Sequence, residues 1–173
     1  MKVISIGNFD GVHLGHQALV SRARELAGAG RVVAVTFEPH PAAVLHPETA
    51  PARLSGADQR RNRLLEAGAD EVRELQPSPE LLDMDAEAFI SALLDDEGGF
   101  DAVVEGPDFR FGRRRSAGID TLHEIGSRRG FRVEVIQPRL VTLEDRSEVQ
   151  VSSSLIRWLL QHGRVVDLSL IHI

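Results

Sequence analysis

A ten-residue stretch near the amino terminus, Gly7-Asn8-Phe9-Asp10-Gly11-Val12-His13-Leu14-Gly15-His16, constrains this chain more than any other. It follows the short apolar run Val3 to Ile6, which reads as a strand. It precedes Gln17 to Ala29, where Leu19, Val20, Ala23, Leu26 and Ala27 recur at helical spacing. The first amides of a helix have no intrahelical partners and carry the positive end of its dipole, so a strand-to-helix turn of this kind attracts phosphate. Gly7, Gly11 and Gly15 have no Cβ to keep a ligand from the backbone. His13 and His16, three apart at the helix start, point to one side and can hold charge developing on a phosphorus. The same pair could share a zinc ion, but no third ligand stands at suitable spacing.

The rest of the chain supplies a parallel sheet for that turn. After the stop signal Gly28-Ala29-Gly30, the β-branched run Arg31 to Phe37 is apolar at nearly every position, as suits a central strand covered on both faces. Ala42 to Leu54 reads as a proline-containing loop. A helix is expected over Ser55 to Ala67, with Ser55 as its N-cap and Gly68 as its stop. A short strand over Glu71 to Leu75 and a helix over Asp85 to Asp95 follow. A strand over Asp101 to Glu105, a helix over Ile119 to Arg129 and a strand over Phe131 to Ile136 continue the alternation. The fold class expected is α/β, a Rossmann-like open parallel sheet with flanking helices.

Two loops then fall where ligands bind in such sheets, at the carboxyl ends of strands. Glu38-Pro39-His40-Pro41 ends the second strand and is stiffened by two prolines. Gly106-Pro107-Asp108-Phe109-Arg110-Phe111-Gly112 leaves the strand ending at Glu105. Near the other end of the sequence, two short strands within Leu140 to Val151 flank the polar turn Glu144-Asp145-Arg146. Val151-Ser152-Ser153-Ser154-Leu155-Ile156-Arg157 follows, where serine hydroxyls can cap a helix or bind phosphate and the arginine can grip a polyphosphate.

Together these segments resemble the adenylyltransferase domain of bacterial bifunctional FAD synthetases, the riboflavin kinase/FMN adenylyltransferases of the H-x-G-H nucleotidyltransferase superfamily. The resemblance is carried by G-N-F-D-G-V-H-L-G-H-Q, V-T-F-E-P-H-P, G-P-D-F-R-F-G and V-S-S-S-L-I-R, in that order. Asp108 stands where some members have asparagine, and Ser154 stands in place of threonine. The resemblance implies transfer of AMP from ATP to FMN, giving FAD and pyrophosphate, with Mg²⁺ as cofactor. It assigns His13, His16 and Arg157 to catalysis, and Gly7, Phe9, Asp10, Gly11, Ser152, Ser153 and Ser154 with them to nucleotide binding. Phe37, Pro39, His40, Asp108 and Phe109 fall to the flavin side, with Asp108 as a magnesium ligand. It also implies that residues 1–167 form the transferase domain, that residues 168–173 depart from the family pattern as an atypical tail, and that a riboflavin kinase domain is absent.

Composition narrows the alternatives. A net charge of −6 disfavours a protein that coats nucleic acid or an anionic membrane, and without cysteine there is neither disulfide framework nor thiolate metal site. No run is long enough to span a bilayer and no secretory leader is evident, so a cytoplasmic location is expected. Protein partners are left open. The competing functional readings are a nucleotidyltransferase acting on another small phosphate, and a nucleotide-binding fragment that does not turn over.

Overall fold

A computed structural model describes residues 1–171. Five parallel strands form its sheet: β1 (Lys2–Ile6), β2 (Arg31–Phe37), β3 (Glu71–Leu75), β4 (Ala102–Glu105) and β5 (Arg132–Val135), in the spatial order β3-β2-β1-β4-β5. The α/β open parallel sheet expected from the sequence is therefore present.

Strand periodicity divides the core into two layers. Val3, Val32, Ala34, Ala102 and Val104 point to one face, where they meet Val20, Ala23 and Ala27 of α1 (Leu14–Ala27) and Leu64 of α3 (Ala57–Glu66). Ile4, Ile6, Val33, Val35 and Val103 point to the other, against Phe89, Ile90 and Leu93 of α5 (Ala86–Glu97) and Leu122 and Ile125 of α6 (Ile119–Arg129). Alternating side chains covered on both faces explain why β1, β2 and β4 read as unbroken apolar runs.

From β1 the chain steps outward through β2 to β3, then crosses back to β4 on the other side of β1 and steps outward to β5. Loops leaving β1 and β4 consequently diverge, opening a crevice at their carboxyl ends. The β1–β4 ladder is short: its paired residues are Val3 with Ala102 and Ile4 with Val103.

Several boundaries differ from the sequence reading, each for a local reason. Helix α1 starts at Leu14, three residues before the first position periodicity indicates, because Gly15 and His16 carry no apolar signal and glycine disfavours helix interiors. The segment read as loop over Ala42 to Leu54 contains α2 (Pro41–Leu45) and a 3₁₀ turn at Pro47–Thr49. Pro41 presets the first helical φ, and His40 Nδ1 accepts the Ala42 N–H at 3.1 Å. Gly56, not Ser55, occupies the N-cap of α3. Asp85 caps α5 through the Ala88 N–H at 2.8 Å and Ser78 caps the short α4 (Pro79–Asp83).

A smaller unit sits beside the sheet. The hairpin β6 (Leu140–Thr142) and β7 (Glu148–Gln150) packs with α7 (Ser153–Gln161) and α8 (Val165–Ile171) around Leu143, Val151, Ile156, Leu159 and Ile171. Leu14 of α1 and Leu54 pack against this third cluster, which ties it to the sheet. Asp167 is fully buried, accepting the Glu144 N–H at 2.7 Å and pairing with Arg164 at 2.5 Å. The segment set apart in the sequence as a tail begins within α8: Leu168 packs on the cluster and Ile171 is fully buried. Residues 172 and 173 lie outside the described residues.

Replacing Ile171 by alanine is expected to cost about 2–4 kcal/mol in urea unfolding, as a buried large-to-small change does. A cost below about 0.5 kcal/mol, the range of surface substitutions, would show that the end of α8 contributes nothing to the core.

Candidate active site

The site is built around the backbone between β1 and α1. Phe9 and Val12 both have positive φ, +47° and +43°, a region L-residues avoid and a β-branched residue avoids most. Burial holds them there, since each side chain is 1% exposed and packs in the α1 face of the core. Gly11, at φ +83°, completes the turn. Strain of this kind, on the order of 1–3 kcal/mol per residue, persists only where the surroundings enforce it and concentrates at functional sites.

The turn delivers His13 as the N-cap of α1 and His16 within its first turn. Their rings stack with centroids 3.7 Å apart and 20° between planes, and the edge of Phe9 meets the His16 ring at 5.2 Å. Gly15 permits the stack: a Cβ there would lie 3.1 Å from the His13 ring. Lost hydration, and secondarily the neighbouring His13, push the His16 imidazole well below its usual range, so it is uncharged at neutral pH. Its Nδ1 is buried without a hydrogen-bond partner. The helix start has no side-chain cap. His16 thus offers an uncharged ring rather than a preformed cation at the helix start.

Asp10 joins this turn to the distant α7. Its buried carboxylate accepts the Leu54 N–H at 3.0 Å and the Ser55 N–H at 3.2 Å, and it forms an ion pair with Arg157. Its backbone carbonyl accepts the Ser153 hydroxyl at 2.8 Å. Arg157 also donates through Nε to the Ala52 carbonyl at 2.7 Å, leaving further guanidinium N–H groups for a ligand. Ser152 caps α7 by accepting the Leu155 N–H at 3.1 Å, whereas Ser154 is exposed.

Several assigned residues have their polar groups or rings engaged within the protein. The Gly7 N–H is spent on the Val35 carbonyl at 2.9 Å and the Gly11 N–H on Ser55 Oγ at 3.2 Å, so neither amide is open to phosphate. The ring of Phe9 is buried and supports the turn from beneath. Phe37 and Phe109 are partly buried against the α5–α6 face of the core, with Phe109 stacked on Phe111 at 5.3 Å. Pro39 is exposed. Asp108 is exposed as well and accepts from Gln150 Nε2 at 3.3 Å, which brings its loop beside the strand leading into α7. Among the described residues no three or more histidines or carboxylates gather as a ready metal site.

His40 belongs to the same cleft electrostatically. Burial lowers its pKa, Asp10 opposes that shift, and Arg157, Arg60 and Arg115 add to it. With Nδ1 accepting from Ala42, the neutral ring carries its proton on Nε2.

Sequence reasoning missed the supports from α3. Arg60 is 3% exposed and pairs with Glu38 at 2.7 Å, and Arg53 pairs with the same carboxylate at 2.6 Å. Arg63 donates to the Gly11 carbonyl at 3.1 Å. The available signal was Arg60 standing four residues before the buried Leu64, a charged residue on the inward helix face.

Because the unfolded imidazole titrates near its ordinary pKa of about 6.5, the stability that depends on a neutral His16 is complete above that pH and is lost as pH falls below it. In His16→Asn, unfolding free energy measured from pH 7 to 5 should fall less steeply than in the wild type. The difference is bounded by one proton, about 1.4 kcal/mol per pH unit. Equal slopes would contradict the assignment.

Comparison with known proteins identifies the family. The FAD synthetase family profile matches residues 1–155. The bifunctional riboflavin kinase/FMN adenylyltransferase of Pseudomonas fluorescens is 43% identical over 138 residues, covering 78% of this chain and 44% of that protein. The protein of the same name from Buchnera aphidicola subsp. Schizaphis graminum is 31% identical over 164 residues, covering 94% of this chain and 51% of its own length. This chain therefore spans about half the length of these relatives. A crystal structure described as a macrolide-efflux protein from Streptococcus pneumoniae superimposes with a TM-score of 0.75 over 91% of this chain and 51% of that one. At 24% identity, that likeness shows the fold alone. With the family profile spanning the turn, the sheet and the start of α7, the chain belongs to the FAD synthetase family.

Proposed function

We propose that this chain transfers AMP from ATP to FMN, forming FAD and releasing pyrophosphate. The observation that carries the reading is the junction at Asp10, where the strained histidine turn and the Arg157 helix close on one cleft in a chain of this family.

The reaction asks little proton chemistry of the protein. An FMN phosphate oxygen is already anionic at neutral pH and attacks the α-phosphorus of ATP. The bond from that phosphorus to the bridging oxygen of the β-phosphate breaks, and the pair of electrons leaves with pyrophosphate. No general base is needed. The protein must align two anions and stabilise the charge that grows between them.

His16 and His13 are proposed to donate N–H groups to the α-phosphate with the first-turn amides of α1. Arg157, held at the cleft by Asp10 and the Ala52 carbonyl, retains the leaving pyrophosphate. His40, whose Nδ1 accepts the Ala42 N–H, is proposed to donate through Nε2 on the flavin side. The flavin is assigned to the side bordered by Phe37, Pro39, Asp108 and Phe109.

Mg²⁺ is proposed to bind with the nucleotide, drawing on Asp108 and phosphate oxygens. A single exposed carboxylate suits an ion whose other ligands are phosphate and water. It supplies charge shielding between the two anions. The transferase unit is proposed to comprise residues 1–167 together with the end of α8, whose Leu168 and Ile171 pack in its third cluster, and riboflavin phosphorylation is not assigned to these residues. Among the described residues no helix is long and apolar enough to cross a membrane. A cytoplasmic location is proposed, with ATP and FMN as small-molecule partners and protein partners left open.

Incubation with ATP, FMN and Mg²⁺ should yield FAD and an equal amount of pyrophosphate by chromatography. His16→Ala and Arg157→Ala should each lower kcat by about 10²–10³-fold, the scale of losing one transition-state donor. Wild-type rates in either variant would remove that residue from the mechanism. FMN binding by fluorescence quenching without pyrophosphate release would contradict turnover, and AMP transfer to other phosphates but not FMN would contradict the substrate.

A further inference from the structure

The open end of the β1–β4 crevice is bridged by a side chain the mechanism above does not use. Backbone pairing between these strands is recorded at Val3–Ala102 and Ile4–Val103 and does not extend to Ile6. Amides along β1 alternate between neighbours: Gly7 donates to the Val35 carbonyl of β2, so the Ile6 N–H faces β4. There it meets no backbone carbonyl. Glu105 Oε1 accepts it at 2.5 Å. At the opposite end of the same ladder, Asp101 Oδ2 accepts the Lys2 N–H at 2.6 Å. Side-chain carboxyls therefore complete the pairing of β1 at both ends, the lower one exposed and the upper one 2% exposed.

Burying a carboxyl group is costly unless it stays neutral or meets a cation. Lost hydration pushes Glu105 well above the usual carboxylate range, opposed by the hydrogen bond from the Ile6 amide; no charged group contributes. A leucine or methionine would pack there without this expense. What the carboxyl adds is an acceptor oxygen reaching across a gap the backbone does not close.

Ile6 is the last residue of β1, and the strained turn carrying His13 and His16 hangs directly from it. Gly7 is anchored to β2 and Ile6 to Glu105, so the direction in which the turn departs is fixed from both sides. We propose that Glu105 is a positioning residue for nucleotidyl transfer: its buried carboxyl spans the β1–β4 crevice, fixes the end of β1 and thereby aims the histidine turn at the reacting phosphate. The catalytic part of this inference rests on the FMN adenylyltransferase reading, whereas the placement of the turn does not.

The test compares Glu105→Gln, which keeps a neutral carbonyl acceptor of similar size, with Glu105→Ala, which removes it. Three readouts are taken on each: kcat and KM for FAD formation across pH 6–9, hydrogen exchange of the Ile6 amide, and the NMR signals of the His13 and His16 rings. Glu105→Gln should keep kcat within about 3-fold with an unchanged pH profile and a protected Ile6 amide, since the acceptor is retained. Glu105→Ala should lose about 10–100-fold in kcat with little change in KM for ATP, the scale of misaligning reacting groups by about an ångström. It should also expose the Ile6 amide and shift both ring signals.

Glutamine as damaging as alanine would overturn the proposal, because charge and not the acceptor would then matter. Alanine that lowers thermal stability but leaves kcat and the ring signals unchanged would reduce Glu105 to a structural residue and overturn it too. If the wild-type protein forms no FAD, the functional reading fails by itself. The exchange and ring signals then decide the placement alone, and unchanged signals in Glu105→Ala overturn it.

Discussion

One buried carboxylate holds the two halves of the cleft together. Asp10 lies in the first turn after β1, yet its partners are Leu54 and Ser55 before α3 and Arg157 on α7. Its main-chain carbonyl adds Ser153. Two backbone amides, a guanidinium and a hydroxyl thus converge on one residue from segments far apart in sequence. A buried carboxylate tolerates its lost hydration only when so paired, so each partner must be in place for the others to be stable. The histidine turn and the arginine helix are consequently fixed as one object.

The surroundings pay for strain where the chemistry is proposed. Phe9 and Val12 sit at positive φ because their side chains fill the core beneath the turn and because Gly11 is anchored through both its amide and its carbonyl, to Ser55 and Arg63. Arg60 performs a comparable service one layer out, clamping Glu38 beside the proline loop that bears His40. Helix α3 contributes no residue to the proposed chemistry, but it buttresses both loops that do.

Much of this was legible in the sequence. Alternating burial on β1, β2 and β4 makes their apolar runs unmistakable, and Ile119–Arg129 forms a helix over the span its periodicity marks. The four motif segments fall at carboxyl ends of strands or at the start of α7, as their flanking patterns require. Roles within the motifs were harder to read. Phe9 reads as a ligand contact because it lies among glycines and histidines, but only the backbone conformation shows that its ring turns inward. Gly7 and Gly11 suggest open amides, yet their N–H groups are taken by Val35 and Ser55, partners more than twenty residues away that no local pattern reveals. Glu105 reads as the polar end of a strand, and its buried bond to Ile6 depends on the strand order. Local pattern marked the motif segments, while long-range hydrogen bonds show which of their polar groups are engaged within the protein.

The account depends most on the coupling between Asp10 and Arg157, and a double-mutant cycle on unfolding free energy measures it directly. Asp10→Ala, Arg157→Ala and the double variant are unfolded in urea beside the wild type. A buried, hydrogen-bonded ion pair predicts an interaction energy of about 1.5–3 kcal/mol, with the double variant far less destabilised than the sum of the singles. An interaction energy within about 0.3 kcal/mol of zero, the additivity expected of independent sites, would contradict the claim that this pair unites the two sides of the cleft.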